Sequence, residues 1–385
     1  EWEQAHTRNV RRLIGERLPE HISALLRQIG QLGDEFGYSV YTVGGFVRDL
    51  LLRIEDHLED IDVVVEGDGI RFVKALAKRC GAMVKVHHKF RTGVLAFPDG
   101  FKVDVATART EHYEYPAAMP VVRSGSLRLD LYRRDFTINA LAIKLNKKSF
   151  GQVYDYFGGQ RDLKDKVIRV LHSLSFIEDP TRIFRAIRFE QRFRFRIGNF
   201  SLNQIKNAVK KELIQKLSGR RIYNELLVIF KEPGPIHILE RLHELGVLKA
   251  IHPQLTSIEE MRRTFGSIRA VIAWYQLLYR DESIEEAILY FLAFIDQLDA
   301  QAAKALCANF MIKQKIVHKI WMARNGYNLI ERPLQDVQDL SDSDIYHIFQ
   351  ELPIESILYW MAKTKHENIK KAASTYLSKL RDVKP

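Results

Sequence analysis

Cysteine is scarce in this sequence. Cys80 and Cys307 are the only two in 385 residues, and neither belongs to a Cys-x-x-Cys pair. A zinc knuckle needs several closely spaced Cys or His ligands, and a disulfide framework needs paired cysteines, so neither is indicated. Two isolated thiols fit a reducing compartment, and we expect the protein to lie in the cytoplasm.

Long apolar runs are also missing. No stretch approaches the ~20 residues of a membrane span, and the N-terminus lacks the pattern of a signal peptide. We therefore expect no membrane partner. The sequence begins at Glu1 rather than at Met, as expected of a piece of a longer polypeptide. Nothing in it indicates an oligomeric state.

What the sequence does contain is an excess of positive charge. Lys and Arg number 59 against 48 Asp and Glu, a net charge of +11. Basic residues recur in three separate segments, 182–196, 313–319 and 363–379. Charge spread over several segments suits a long phosphate backbone better than one small ligand, so a nucleic acid is the expected partner.

The hydrophobic pattern divides the chain into an α/β part and a helical part. Helical spacing is seen over residues 3–35 and 70–80, and short runs rich in Val, Ile and aromatics predict strands. These runs are 39–43, 61–65, 82–86, 93–97, 101–105 and 141–145. From about Leu163 to the end, amphipathic helical patterns dominate. We predict an α/β head with a mixed sheet, followed by an all-α, elongated neck, body and tail.

Four segments follow from this division. They are an N-terminal helical segment (1–36), the head (37–157), the neck (158–252), and the body and tail (253–385).

The first motif follows the first predicted strand. Residues 44–49 read Gly-Gly-Phe-Val-Arg-Asp and open a helix. Gly44 and Gly45 would let the backbone approach a ligand closely, and the helix N-terminus offers unpaired N–H groups to a phosphate. Arg48 would add charge to the same site. The alternative is a plain strand–turn–helix connection.

The second motif is a pair of aspartates. Asp60 and Asp62 are two residues apart at the start of an apolar strand, so both carboxylates project from one face. Carboxylate oxygens are the ligands that Mg²⁺ prefers, although a solvated turn would show the same pattern. Asp104 lies inside the strand 101–105 and could complete a carboxylate trio or face solvent. A Gly-Gly turn followed by paired aspartates on the next strand predicts a triphosphate held against two metal ions.

The third motif, residues 133–140, reads Arg-Arg-Asp-Phe-Thr-Ile-Asn-Ala and precedes another predicted strand. Asp135 or Asn139 could bind ribose hydroxyls, and Arg134 could contact phosphate. A salt-bridged helix end is the alternative.

The fourth motif, residues 178–189, opens a helix at Pro180. Asp179 and Arg182 are neighbours there, and Arg185 and Arg188 continue the same face. Arginines this close repel each other unless an anion lies between them, but the alternative is a solvated basic face.

Asp179 and Arg182 together offer an acceptor beside a forked donor. Cytosine and adenine both present an amino donor next to a ring-nitrogen acceptor on their pairing edge, and guanine and uracil reverse that order. An Asp–Arg pair can therefore accept C and A and reject G and U without a template.

Taken together and in this order, the four motifs resemble those of the class II tRNA nucleotidyltransferases, the family of bacterial CCA-adding enzymes and poly(A) polymerases. The resemblance covers residues 41–225. It implies a five-stranded nucleotidyltransferase head, and Mg²⁺ bound by Asp60 and Asp62 with Asp104 as a further catalytic carboxylate. The remaining implied residues bind the nucleotide: Gly44, Gly45, Arg48, Arg134, Asp135, Asn139, Asp179, Arg182, Arg185 and Arg188.

The resemblance implies an enzyme that adds AMP from ATP, or also CMP from CTP, to the 3′ end of tRNA, with the body and tail holding the acceptor–TΨC arm. The alternatives are a poly(A) polymerase acting on other RNAs and an RNA-binding module with an inactive head. Residues 104–116 resemble a subgroup in which CC addition and A addition are separate activities, which favours an A-adding enzyme. The connection 111–130 is rich in turn-forming residues and predicts a mobile loop beside the site.

Overall fold

The computed structural model describes residues 8–54, 60–280, 282–334 and 340–383. The chain divides into two compact units, Glu1–Asn207 and Ala208–Pro385. Residues 3–7 of the predicted N-terminal helix lie outside the described residues. The division into four segments stays a prediction.

The first unit combines a sheet with helices on both of its faces. Its elements are α1 (Arg11–Arg17), α2 (Glu20–Phe36), β1 (Ser39–Val43), α3 (Gly45–Leu52), β2 (Asp60–Glu66), α4 (Gly69–Cys80), β3 (Met83–His87), β4 (Thr92–Ala96), β5 (Lys102–Thr107), β6 (Arg109–His112), β7 (Val121–Ser124), α5 (Leu127–Tyr132), β8 (Leu141–Lys144), β9 (Val153–Asp155), α6 (Gly159–Asp165), β10 (Val167–Ile168), α7 (Ser175–Glu178), α8 (Thr181–Phe193), β11 (Arg196–Ile197) and α9 (Asn199–Lys210).

The central sheet has the strand order β3-β4-β5-β2-β1-β8-β9. Only β2 and β5 run parallel, and the other neighbours are antiparallel, so the predicted mixed sheet is confirmed. The implied number of five strands is wrong, because the sheet has seven. The strand β9 is three residues long, too short for its sequence to display the alternation that identifies a strand.

The two faces of this sheet are covered by different helices. On one face α4 packs against β2, β4 and β5, and its Phe72, Val73 and Leu76 are fully buried. On the opposite face Leu127 of α5 joins a buried cluster that includes Val64 of β2. Because side chains alternate along a strand, Asp62 and Asp60 lie on the same face as Val64.

The single helix predicted for residues 3–35 is wrong in one respect. Two helices, α1 and α2, are separated at Leu18 and Pro19, because proline lacks the N–H that a continuous helix requires. The apolar positions Ile22, Leu25, Leu26 and Ile29 of α2 are buried. Its Gly30 permits the close approach to the sheet, since a Cβ atom there would lie 1.9 Å from the Leu145 carbonyl oxygen.

The second unit is helical throughout its described residues. Besides a 3₁₀ turn (Ile214–Lys216) and two π-helical turns (Tyr327–Glu331 and Tyr376–Leu380), it contains α10 (Gly219–Phe230), α11 (Pro235–Glu244), α12 (Val247–Ile251), α13 (Ile258–Gln276), α14 (Glu286–Ile295), α15 (Ala300–Asn309), α16 (Gln314–Arg324), α17 (Arg332–Leu334), α18 (Asp342–Phe349), α19 (Ile354–Lys363) and α20 (Glu367–Thr375). Every residue from 288 to 295 is buried, so α14 forms the centre of this unit.

The predicted α/β head followed by a helical remainder is confirmed. The exceptions beyond Leu163 are β10 and β11, two-residue strands that pair in parallel. Among the described residues, no helix has the length and apolar character needed to cross a bilayer.

Candidate active site

Three carboxylates share one face of the central sheet. Asp62 of β2 lies directly opposite Asp104 of the parallel strand β5, and Asp60 precedes Asp62 by two residues. Register and alternation therefore place all three side chains on the face that also carries α5. The intervening Ile61 and Val63 are buried on the other face, which fixes the orientation of the strand.

The electrostatics of these carboxylates favour a bound cation. The Asp62 side chain is exposed at the start of β2, but partial desolvation by the surrounding protein, together with Asp104 and Asp60, raises its pKa above the usual value, while Arg134 opposes the shift. Burial and Asp60 likewise raise the pKa of Asp104, against Lys102. A divalent cation would relieve this repulsion, and carboxylate oxygens are the ligands it prefers.

A metal ion at this site would need ligands beyond the protein. Within the described ranges, no group of three or more His, Cys, Asp or Glu side chains is arranged to hold a metal ion by itself. Mg²⁺ is commonly held by one or two carboxylates, with substrate phosphates and water completing its octahedron. The pair Asp60 and Asp62 fits that mode of binding.

The turn at Gly44 brings three of the four motifs together. Gly44 has φ +73° and ψ −135°, a conformation open essentially only to glycine. A Cβ atom there would lie 2.8 Å from Arg134 Nη1 and 3.4 Å from Asp62 Oδ2. Gly45 then begins α3, whose first N–H groups lie at this turn. The backbone of the first motif thus meets the aspartates of the second and the arginine of the third.

Arg48, for which a triphosphate contact is predicted, lies beside Gly45, where a Cβ atom would be 3.4 Å from its Nη2, and is held by other protein groups. Its buried guanidinium makes two hydrogen bonds of 2.8 Å to the Asp49 carboxylate and one of 2.8 Å to Asn139 Oδ1. It also lies 4.6 Å from the ring centroid of Phe193 and 5.2 Å from that of Phe189. These contacts use most of its donors and point to a role in joining α3 to α8. The phosphate contact stays a prediction.

Asp135 and Asn139 also bind other protein groups. Asp135 Oδ1 accepts hydrogen bonds from Asn139 Nδ2 at 2.9 Å and from the Phe136 N–H at 2.8 Å. Its Oδ2 forms an ion pair with Arg185 at 2.6 Å. Burial alone would raise the pKa of Asp135, but Arg185 and Asn139 outweigh it and lower the pKa to about 2. Asp135 is therefore ionised and links the third motif to the fourth.

Two of the four arginines of α8 are buried rather than solvated. Arg182 and Arg188 are buried, with exposed fractions of 5% and 6%, and Arg185 is engaged by Asp135. Ile183 and Ile187 are fully buried as well, so both sides of this helix pack against protein. The alternative of a solvent-facing basic surface is therefore wrong for Arg182 and Arg188.

Asp179 and Arg182 flank the first turn of α8. Asp179 Oδ1 accepts hydrogen bonds from the Thr181 N–H at 3.0 Å and the Thr181 hydroxyl at 2.5 Å. Arg182 donates to Ser175 Oγ and to the Arg133 carbonyl, each at 2.7 Å. The structure thus holds Arg182 rigidly beside the third motif. Its reading of a base edge stays a proposal.

The segment predicted as a mobile loop contains a hairpin instead. Strands β6 and β7 pair in antiparallel register from Arg109–Ser124 to His112–Val121. The connection between them contacts α7, just before the fourth motif, since the Ala117 N–H donates to the Ile177 carbonyl at 3.3 Å. The sequence did not reveal this hairpin, because its strands are short and largely polar.

Two sequence families match consecutive parts of the chain. "Poly A polymerase head domain" covers residues 40–169, and "Probable RNA and SrmB- binding site of polymerase A" covers residues 194–259. A solved structure of the Thermotoga maritima CCA-adding enzyme complexed with tRNA is 34% identical, with a TM-score of 0.76 over 98% of this chain and 88% of that one. The chain belongs to the class II tRNA nucleotidyltransferases.

Other members of this family are similar over nearly the whole chain. A CCA-adding enzyme solved with ATP is 33% identical, with a TM-score of 0.80 over 97% of this chain and 86% of that one. The A-adding tRNA nucleotidyltransferase of Geobacter sulfurreducens is 47% identical over 380 residues, 98% of this chain. The chain spans only 43% of the length of that relative. The family generally uses a divalent metal, and the head of this chain has the family's nucleotidyltransferase fold.

Proposed function

We propose that this chain transfers AMP from ATP to the 3′ end of tRNA without a template, releasing pyrophosphate. The observation that supports this most directly is the convergence of Gly44, Asp62 and Arg134 at one turn, with Asp104 in register beside Asp62. A backbone turn open to phosphate, paired carboxylates and a cationic side chain are the groups that phosphoryl transfer requires.

In this reaction the terminal 3′-hydroxyl oxygen attacks the α-phosphorus of ATP, and the bond to the pyrophosphate oxygen breaks. Asp60 and Asp62 would hold Mg²⁺, which when bound lowers the pKa of the hydroxyl and neutralises charge on the leaving group. Arg134, with Gly44 and Gly45, orients the triphosphate. Asp104 adds negative charge to the same face and so strengthens cation binding. Asp135, Asn139 and Arg48 align the third motif with α3 and α8.

Base selection belongs to Asp179 and Arg182 in this proposal. Arg182 is held by Ser175 and by the Arg133 carbonyl, directly before Arg134, so base and triphosphate would be bound by adjoining groups. Arg185 and Arg188 support them from the next turns of α8. Such a preformed edge selects adenine or cytosine by hydrogen bonding rather than by pairing with a template.

The proposed partner is the acceptor–TΨC arm of tRNA, bound by the helical body and tail. The net charge of +11 and the RNA-binding description of the family matched over residues 194–259 support it. The predicted segments 1–36, 37–157, 158–252 and 253–385 would then be the N-terminal helices, catalytic head, base-reading neck and tRNA-binding remainder.

Both cysteines are free, which agrees with a location in the reducing cytoplasm.

Addition of A alone is favoured over complete CCA addition by the name of the Geobacter relative. The similar solved structures belong to CCA-adding enzymes, so complete CCA addition is the second candidate. A poly(A) polymerase would share the same head.

One substrate series distinguishes these activities. Purified protein is offered tRNA ending before CCA, after one C and after both Cs, each with ATP or CTP, and products are resolved on sequencing gels. We expect a single A on the CC-ended tRNA, formed at least roughly tenfold faster than any C on the shorter tRNAs. Efficient CMP transfer would establish complete CCA addition. A long A tail would indicate a poly(A) polymerase, and no transfer at all would contradict the proposal.

Arg182 provides a test of base selection. Changing Arg182 to Ala removes the hydrogen-bond donor of the proposed Asp179–Arg182 pair. Discrimination of ATP against GTP and UTP should then fall by roughly ten- to hundred-fold, about 1–3 kcal/mol. The measurement is kcat/KM for all four triphosphates. Arg192, an exposed arginine of the same helix, supplies the control, and Arg192→Ala should leave selectivity unchanged. Unaltered selectivity in Arg182→Ala would assign Arg182 a structural role only.

A further inference from the structure

Asp130 is a completely buried carboxylate that belongs to none of the four motifs. It lies on α5, and its exposed fraction is zero. An ionised group is rarely found there unless neighbouring charges and hydrogen bonds compensate the loss of water. A buried carboxylate such as Asp130 is therefore expected to bind charged partners.

Asp130 binds both arginines of the third motif. Its Oδ1 accepts hydrogen bonds from Arg133 Nη2 at 2.8 Å and Nε at 3.1 Å, and its Oδ2 accepts one from Arg134 Nη2 at 3.3 Å. Burial alone would raise the pKa of Asp130, but the two arginines outweigh it and lower the pKa. Asp130 is therefore ionised and pairs with both Arg133 and Arg134.

The bond to Asp130 is the main restraint on the Arg134 side chain. In the part of the chain that the structure describes, it is the only hydrogen bond that this side chain makes, and Arg134 Nε is buried with no partner. Nη1 of the same guanidinium lies beside the Gly44 turn, 2.8 Å from where a Cβ atom of residue 44 would stand, and its charge acts to lower the pKa of Asp62. A long side chain with four rotatable bonds keeps such a position only if something holds its far end.

Arg133 links Asp130 to the β6–β7 hairpin and to Arg182. Its Nη1 donates to Glu111 of the β6–β7 hairpin at 2.8 Å, and the Arg109 N–H of that hairpin donates to Asp130 Oδ1 at 3.3 Å. The Arg133 carbonyl accepts the 2.7 Å hydrogen bond from Arg182. Asp130 thus lies where the hairpin, the base-reading arginine and the triphosphate arginine meet.

We propose that Asp130 is a positioning residue, which acts through Arg134 by holding its guanidinium beside the Gly44 turn. The proposal rests on the nucleotidyl transfer proposed above. It adds that Asp130 touches neither nucleotide nor RNA, and that its entire effect on ATP use depends on Arg134.

A double-mutant cycle tests this dependence. Asp130→Asn, Arg134→Ala and the double variant are compared in kcat/KM for ATP on a CC-ended tRNA. We expect Asp130→Asn to lose roughly ten- to hundred-fold, as for a hydrogen bond to a charged group. In the Arg134→Ala background the same change should cost less than about twofold, because no guanidinium remains to be positioned.

Asp162 supplies the matched control. It is equally buried and binds Thr137 at 2.6 Å and Arg169 at 3.1 Å, but it does not contact Arg134. If Asp162→Asn lowers kcat/KM, the double variant with Arg134→Ala should therefore lose the product of the two single fold-losses. Asp130→Glu keeps the charge and moves the carboxylate by one methylene, so it tests the same dependence if Asp130→Asn does not fold.

The possible results separate this proposal from the proposed function. If the losses of the Asp130 and Arg134 variants multiply, or the Asp130 variants match the wild type, Asp130 is not a positioning residue. If the wild type transfers no AMP to tRNA, the proposed function fails. The cycle is then read from the Kd for Mg²⁺-ATP by calorimetry, where the same dependence on Arg134 is expected.

Discussion

Replacing Asp62 by Asn is expected to lower kcat for AMP transfer by roughly 1000-fold or more. Asn has nearly the same volume, so the buried flanking residues Ile61 and Val63 should keep their packing. The change removes the negative charge that would bind Mg²⁺ opposite Asp104 and beside the Gly44 turn. Asp60→Asn should behave similarly, and tRNA binding should persist in both variants.

The measurement is single-turnover transfer of labelled AMP to a CC-ended tRNA, alongside tRNA affinity and circular dichroism. Asp68 is a suitable control, because it is an exposed aspartate of the same head that caps α4 through the N–H groups of Ile70 and Arg71. Asn caps helices equally well, so Asp68→Asn should retain wild-type activity. Activity of Asp62→Asn within tenfold of the wild type would eliminate the two-carboxylate mechanism.

Arg48→Met is expected to lower the free energy of unfolding by about 3 kcal/mol. The substitution keeps an unbranched side chain but leaves the Asp49 carboxylate and Asn139 Oδ1 without their shared donor. It also removes the cation that lies against the rings of Phe189 and Phe193. The expected loss follows from breaking a buried ion pair, since the remaining partners are not fully reached by water.

Urea unfolding followed by circular dichroism measures this change. Arg12 pairs with Glu16 at 2.6 Å, as Arg48 pairs with Asp49, but its side chain is 92% exposed. Arg12→Met should therefore leave the midpoint of urea unfolding close to that of the wild type. If Arg48→Met were as stable as the wild type but bound ATP poorly, the original prediction of a direct triphosphate contact would be supported instead.

Much of the head could be predicted because the residue pattern of its strands is recognisable within each strand's own sequence. The runs 39–43 and 61–65 alternate or are continuously apolar, and they correspond to β1 and β2 within one residue at each end. The hairpin β6–β7 could not be predicted in this way. Its first strand, Arg-Thr-Glu-His, has no apolar face, and its polar residues are partnered by Asp130 and Arg133 from a segment some twenty residues later.

Asp130 itself shows what local motifs omit. Its spacing of three and four residues before Arg133 and Arg134 is visible in the sequence, and that spacing permits ion pairs within one helical turn. Such pairs are usually exposed and weak, so the spacing alone gave no reason to select this one. Complete burial, which depends on how α5 packs against the sheet, is what distinguishes it.

By itself the sequence determined which chemical groups are present and which segments carry them: glycines after the first strand, paired aspartates on the second, and charged motifs before β8 and within α8. It also determined the change from strand to helix near Leu163, because periodicity is a local property. Only the tertiary structure decided which groups meet. In the sequence, Arg48, Arg134, Asp135 and Arg182 all appear as ligand-binding residues. In the structure each of them also bonds to protein, and Arg134 lies beside the Gly44 turn near which Asp62 is found. The reason is physical: the partner of a buried charge is set by contacts between distant segments, and no local pattern encodes those contacts.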